Sequence, residues 1–252
     1  MNAKEVISYM ESLQDDKQRK ILMGFFKTGP GEYGEGDEFL GLKVPQTREV
    51  VKAVAKDFPL DQVSELLMNH WHEVRLCGFL ILVSKFEKLS VKRLENDQSA
   101  IRKRDEILKL YLKYAEKANN WDLVDLSVHK ILGHWLLLPS TLGDKDYKIK
   151  VLDELAQSDN LWKQRMSMVC SWKTSQMGDP SWCLQYAEIH LHHPHDLMHK
   201  AVGWMLREMG KRVDMDLLRD FLHQHVHEMP RTMLRYAIEK MPERERQYWM
   251  KL

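Results

Sequence analysis

EVRLCGFLIL (73–82), LVDLSVHKIL (123–132), KQRMSMVCSW (163–172), MHKAVGWMLR (198–207) and MLRYAIEKMP (233–242) share one local pattern. Aligned, they put Arg75, Asp125, Arg165, Lys200 and Arg235 in a single slot, with slots 50, 40, 35 and 35 residues apart. Tryptophans recur on a similar period, at Trp71, Trp121, Trp162, Trp204 and Trp249. Leu76, Phe79, Leu80 and Val83 follow helical i, i+3, i+4, i+7 spacing. A period near 40 built of paired helices is the signature of HEAT-like repeats, in which neighbouring pairs stack because no pair can bury its apolar stripe alone. The expected fold is therefore all-α, a HEAT-like helical-repeat solenoid of about twelve to fourteen helices. Its second helices should line a concave cationic cleft carrying the slot residues.

The rest of the chain agrees with that expectation. Six of eight prolines (Pro45, Pro59, Pro180, Pro194, Pro230, Pro242) stand where helical patterns begin, the turn that tolerates a missing N–H. Alternating Val/Ile-rich runs are absent, so strands are not expected. The 252 residues are 44% hydrophobic and 30% charged, which disfavours disorder and disulfide scaffolds. No boundary between domains is legible, and residues 1–252 read as a single domain. GPGEYGEGDEF (29–39) reads as an acidic loop and PSTLGDKDY (139–147) as a long connection. No apolar run is long enough to span a bilayer. MNAKEVISYMESLQDDKQRK has no apolar signal core, and Cys77, Cys170 and Cys183 form no CxxC. A cytoplasmic monomer without membrane attachment is the expectation.

Lys and Arg total 38 against 37 Asp and Glu, a net charge of +1. The acidic loop holds −4 of this, so the remainder carries +5. Four of the five slot residues are cationic, which suits a phosphate track. Asp125 is the exception, a carboxylate whose ionised form cationic neighbours would favour. Trp121 lies at i−4 from Asp125, on the same face if the helix reaches back that far. Trp204 follows Lys200 by four. An aromatic wall, an anion and flanking cations suit a flat cationic ligand beside a polyanion, such as an alkylated purine in DNA. Blander readings stand beside this one. A lone helical Asp is commonly solvated or an N-cap, tryptophans at repeat spacing commonly pack a core, and a cationic row is commonly soluble surface. Lys43, Arg48, Arg75, Lys130, Lys173, Lys200 and Arg207 are further candidates for the DNA track, each with that surface reading open. Phe25 and Phe26 read as core.

The histidines do not read as a metal site. His195 and His199 have i, i+4 spacing, but no HExxH or cysteine pair accompanies them, and Pro194 implies a turn. His223, His225 and His227 alternate and cannot share a helix face. Neither a metal nor an organic cofactor is expected.

FLGLKVPQTRE (39–49), NNWDLVDLS (119–127), DNLWKQRMSMV (159–169) and HKAVGWMLREM (199–209) resemble segments of the AlkD-type DNA alkylation-repair glycosylases. The resemblance runs over about residues 5–240. It implies a cofactor-free enzyme that removes cationic 3-methyladenine- and 7-methylguanine-type bases from duplex DNA. It further implies that Asp125 is the catalytic carboxylate, that Trp121 and Trp204 are cleft tryptophans, and that Arg165 is the arginine of the WxxR element. The family need not flip the base. His129 stands where several relatives have proline, and the loops at 28–38 and 139–147 look longer than in the shortest members. The competing class is a non-catalytic HEAT-repeat scaffold or DNA-structure binder.

Overall fold

A computed structural model describes residues 1–252. Its helices are α1 (Ala3–Ser12), α2 (Asp16–Phe25), α3 (Val44–Val54), α4 (Val63–Leu67), α5 (His72–Leu89), α6 (Gln98–Lys113), α7 (Trp121–Asp125) and α8 (Val128–Trp135). There follow α9 (Lys145–Ala156), α10 (Leu161–Val169), α11 (Ser171–Gln176), α12 (Ser181–Ile189), α13 (Asp196–Arg212), α14 (Met215–His225), α15 (Arg231–Ile238) and α16 (Glu243–Lys251). Three single 3₁₀ turns complete the set, and no strand forms. An isolated bridge pairs Glu38 with Trp71. No helix is long and apolar enough to cross a membrane.

Sixteen helices exceed the expected number because two of the repeat segments break. In LVDLSVHKIL the Ser127 hydroxyl donates to the Leu123 carbonyl at 2.6 Å, and the chain turns between α7 and α8. In KQRMSMVCSW the Ser171 hydroxyl donates to the Met168 carbonyl at 2.7 Å, beside the break at Cys170 between α10 and α11. Such back-bonding occupies carbonyls that would otherwise extend the helix, and it bends the chain. The prolines fall as expected. Pro45 lies in the first turn of α3, Pro180, Pro230 and Pro242 flank the starts of α12, α15 and α16, and Pro59 precedes a 3₁₀ turn.

The chain forms two compact units, Met1–Ile131 with Leu138–Leu142, and Leu132–Leu137 with Gly143–Leu252. In the first, α5 is the central element. It is buried on nearly every side, from His72 to Val83, and packs on α3, α4, α6 and α7. A helix that is apolar all round belongs inside, and Val74, Phe79, Ile81 and Leu82 are wholly buried. The connection at 139–147 begins under the α6 residue Asp105, which accepts from the Ser140 hydroxyl and from the Thr141 amide and hydroxyl. In the second unit α13 is central, packing on α10, α11, α12, α14 and α15 through Met198, Val202, Met205, Leu206 and Met209.

Candidate active site

α7 has only five residues, too few to be stable alone. Its place is set by the residues at its start, and each of Asn119 to Asp122 makes a contact of its own within the first unit. Asn119 Oδ1 accepts from Arg75 Nη2 at 3.0 Å. Asn120 caps the helix and donates through Nδ2 to the Phe26 carbonyl at 3.3 Å. Trp121 stacks on the Phe26 ring, centroids 5.2 Å apart at 29°. Asp122 Oδ2 meets His72 Nε2 at 2.9 Å. The loop must come close for this to happen: a Cβ on Gly34 would lie 2.5 Å from the Phe26 carbonyl and 3.0 Å from Asn120 Nδ2. Only glycine fits there.

Because α7 begins at Trp121, the indole and the Asp125 carboxyl stand one turn apart on one face, as the i, i+4 spacing requires. Both line a cavity of about 370 Å³, at the small end of ligand-binding volumes. Its other walls include Leu22, Phe25, Phe26, Phe39 and Lys43. The Phe25 ring is 61% exposed and meets Trp121 edge-on at 5.7 Å. Phe26 is core, as expected, whereas Phe25 is not, because α2 buries none of its residues.

Beneath the cavity lies a buried charge cluster. His72 is 1% exposed and lies between two carboxylates, with Nδ1 2.7 Å from Asp37 and Nε2 2.9 Å from Asp122. Arg75 binds Asp37 through Nη2 and the Asn69 and His70 carbonyls through Nη1, at 3.0 and 2.7 Å. Burial alone would lower the His72 pKa, but the Asp122 and Asp37 carboxylates reverse this and push it up to about 9. The imidazole is therefore a cation at neutral pH. For Asp37 burial acts upward, yet the hydrogen bonds and charges of His72 and Arg75 outweigh it and hold the carboxyl below its ordinary value. Two carboxylates face two cations, the condition under which buried charge is tolerated. The neighbouring Glu73 accepts from three successive amides, Leu40, Gly41 and Leu42, each at 2.9 Å. It fastens the FLGL stretch to α5.

The slot alignment is thus corrected at Arg75. The side chain is 5% exposed and its guanidinium is committed to Asp37, Asn119 and two carbonyls, so it is an internal brace and not a phosphate contact. Within the acidic loop Asp37 is interior. Of the other candidates in this unit, Lys43 and Arg48 are exposed, and Lys130 lies 3.3 Å from Glu87.

In the second unit Arg165 is buried on α10 and donates to the Leu197 carbonyl at 2.6 Å. The histidine-rich stretch braces the same element. Ser167 bonds His190 Nε2 at 2.8 Å, and Gln164 bonds His193 Nε2 at 2.9 Å. Burial, helped by His193, lowers the His190 pKa to about 4. No cluster of three or more His, Cys, Asp or Glu side chains is placed to hold a metal ion. Trp204 is half-buried on α13, where Lys200 pairs with Asp196 at 2.6 Å. Lys173 Nζ donates to Gln176 at 2.9 Å. Arg207 pairs with Glu239 and Glu208, so a phosphate would have to displace carboxylates there.

Sequence reading missed His72, Asp37, Asp122 and Phe39. Their partners lie 35 and 50 residues apart, and no local spacing marks them. The NNWD tetrapeptide was the available signal, four polar or aromatic residues in a row just before a short helix.

The chain is thus all-helical, with a carboxylate and an indole on one face of a short helix beside an aromatic cavity. The family model for DNA alkylation repair enzymes matches residues 6–241, and the chain belongs to that family. A solved structure described as a predicted DNA alkylation repair enzyme from Enterococcus faecalis is similar, with a TM-score of 0.66 at 13% identity, covering 91% of this chain and 97% of that one. At that identity the likeness shows the fold, a helical-repeat solenoid. No curated protein matches.

Proposed function

We propose that this enzyme is a DNA glycosylase that hydrolyses the N-glycosidic bond of cationic N-alkylated purines in duplex DNA. The observation that carries the reading is the pairing of Trp121 and Asp125 on one face of α7, both lining the same aromatic cavity.

The chemistry follows from charge. An alkylated purine of the 3-methyladenine or 7-methylguanine type is already cationic and leaves without strong acid assistance. Breaking the C1′–N bond builds positive charge on the sugar. The Asp125 carboxylate stabilises that charge and orients the attacking water. The Trp121 face adds cation–π stabilisation, and exposed Phe25 extends the aromatic surface. Lys43, at the cavity wall, and Arg48 are proposed to hold phosphates. For the second unit the motif resemblance supports Arg165 as a phosphate ligand, Trp204 as a second aromatic contact, and Lys173 and Lys200 as auxiliary cations. Lys130 has the same proposed role in the first unit. The enzyme is proposed to act as a monomer without a cofactor. Three free, buried thiols at Cys77, Cys170 and Cys183 suit a reducing compartment.

The test is incubation with methylated duplex DNA, followed by assay of free base and abasic sites. Release of 7-methylguanine or 3-methyladenine supports the reading. Tight DNA binding without release points to a DNA-structure binder, and absence of DNA binding to a protein scaffold; either result overturns it.

A further inference from the structure

We infer that His72 is a positioning residue for the site: it orients the helix bearing Trp121 and Asp125 by bonding Asp122 through one ring nitrogen and Asp37 through the other. This rests on the proposed roles of Asp125 and Trp121.

Two connections join α7 to His72, and they arrive from opposite ends of one structure. The first is a column of rings. Trp121 stacks on Phe26 at 5.2 Å, Phe26 on Phe39 at 5.2 Å and 16°, and Phe39 on His72 at 4.3 Å and 18°. The second is the 2.9 Å bond from His72 back to Asp122, the residue after Trp121. The helix start is therefore fixed at the indole by stacking and at the next side chain by a charged hydrogen bond. A five-residue helix has little rigidity of its own, so these contacts set where Asp125 points. An error of about 1 Å at a reacting carboxylate can cost on the order of 10²-fold in rate.

The surroundings of His72 make the bond specific. Asp37 comes from the acidic loop, Asp122 from α7 and Arg75 from its own helix, while Glu73 beside it is occupied by three backbone amides. Asp122 Oδ1 is buried without a hydrogen-bond partner, so Oδ2 and His72 carry the whole link. The loop residue Asp37, by closing the far side of the ring, gives the acidic segment a part in placing the carboxylate.

Asp122→Ala and Asp122→Asn separate positioning from general support. The asparagine keeps a hydrogen bond to the imidazole and leaves Asp37 in contact with both His72 and Arg75, so no buried carboxylate is stranded. Asp122→Ala is expected to lower single-turnover release of 7-methylguanine from pre-bound duplex by about 10- to 100-fold, with DNA affinity within about twofold of wild type. Asp122→Asn is expected to restore the rate to within about threefold. A second readout needs no chemistry: acrylamide quenching of Trp121, taken as the difference from Trp121→Phe, should rise in Asp122→Ala and not in Asp122→Asn. Should Asp122→Ala fail to fold, the charge-balanced His72→Gln/Asp122→Asn pair, which removes the ring, carries the same expectation. Wild-type quenching and rate in Asp122→Ala, or in that pair, overturn the inference, as does a loss of rate matched by loss of DNA affinity. If the wild type releases no base, the glycosylase reading fails, while the quenching comparison still decides the positioning role.

Discussion

Trp121 is joined to Phe26 twice, once by ring stacking at 5.2 Å and once through the preceding Asn120, whose side chain reaches the Phe26 carbonyl at 3.3 Å. Phe26 is 6% exposed and the adjacent Phe25 is 61% exposed. The two rings should therefore respond oppositely to truncation. Phe26→Ala is expected to cost about 3–5 kcal/mol in urea unfolding, because it empties the middle of the ring column. Phe25→Ala should stay within about 0.5 kcal/mol of wild type yet weaken lesion processing, since its ring lines the cavity. Equal stability losses in the two variants would contradict the arrangement.

Asp125→Asn preserves the side-chain shape at the end of α7 while deleting the charge. The expected result is a loss of about 10²–10³ in single-turnover release of 7-methylguanine, with duplex binding retained. An excision rate unchanged from wild type would remove Asp125 from the chemistry.

Much of this was legible from the chain. Period, proline placement and the absence of alternation define a helical array, because those signals are local and the helices obey them. The face shared by Trp121 and Asp125 was equally readable, being a matter of i, i+4 geometry. The slot at Arg75 was misread for a physical reason. Alignment of repeat helices assigns a position on a helix but not the neighbour across from it, and here that neighbour is Asp37, 38 residues upstream in a loop. The histidines show the same limit. The clusters at 190–199 and 223–227 stand out by density, whereas His72, outside both, sits between two carboxylates supplied by distant segments.

Arg165→Ala tests the phosphate role of the WxxR element. A lost phosphate contact should reduce the slope of log affinity against log salt by about 0.9. Because Arg165 is buried and donates to the Leu197 carbonyl, some loss of stability accompanies the change. The salt slope separates the two effects, and a slope equal to that of the wild type would make Arg165 structural only.

Gly203 lies where α13 packs on α15. A Cβ there would stand 2.3 Å from the Met233 carbonyl and 2.6 Å from Tyr236 Cβ, so the helices must part to admit it. Gly203→Ala is expected to destabilise the second unit by about 1–3 kcal/mol despite its better helix propensity. Increased stability in thermal or urea unfolding would show that the contact yields.

Two histidines impose opposite pH limits on stability. Folded His72 keeps its proton up to about 9, against an ordinary value of 6.5. Its contribution is fully present below 6.5 and is lost as pH rises through 9, since in that interval only the folded state binds the proton. His190 behaves in reverse. Folded, it resists protonation down to about 4, so stability falls as pH drops from 6.5, where the unfolded chain takes up a proton the folded one refuses. The depressed Asp37 adds stability that disappears only when pH falls through its lowered value, at the acid end. Stability measured by urea unfolding should therefore peak near pH 6.5, with each histidine limb worth on the order of 3 kcal/mol. His190→Asn should reduce the acid limb, leaving the smaller part that His193 and His195, also held low by burial, contribute. Asp122→Asn should shrink the basic limb, because it removes the larger of the two carboxylate influences that hold the His72 proton. A basic limb unchanged by Asp122→Asn would mean that His72 is not the group titrating there.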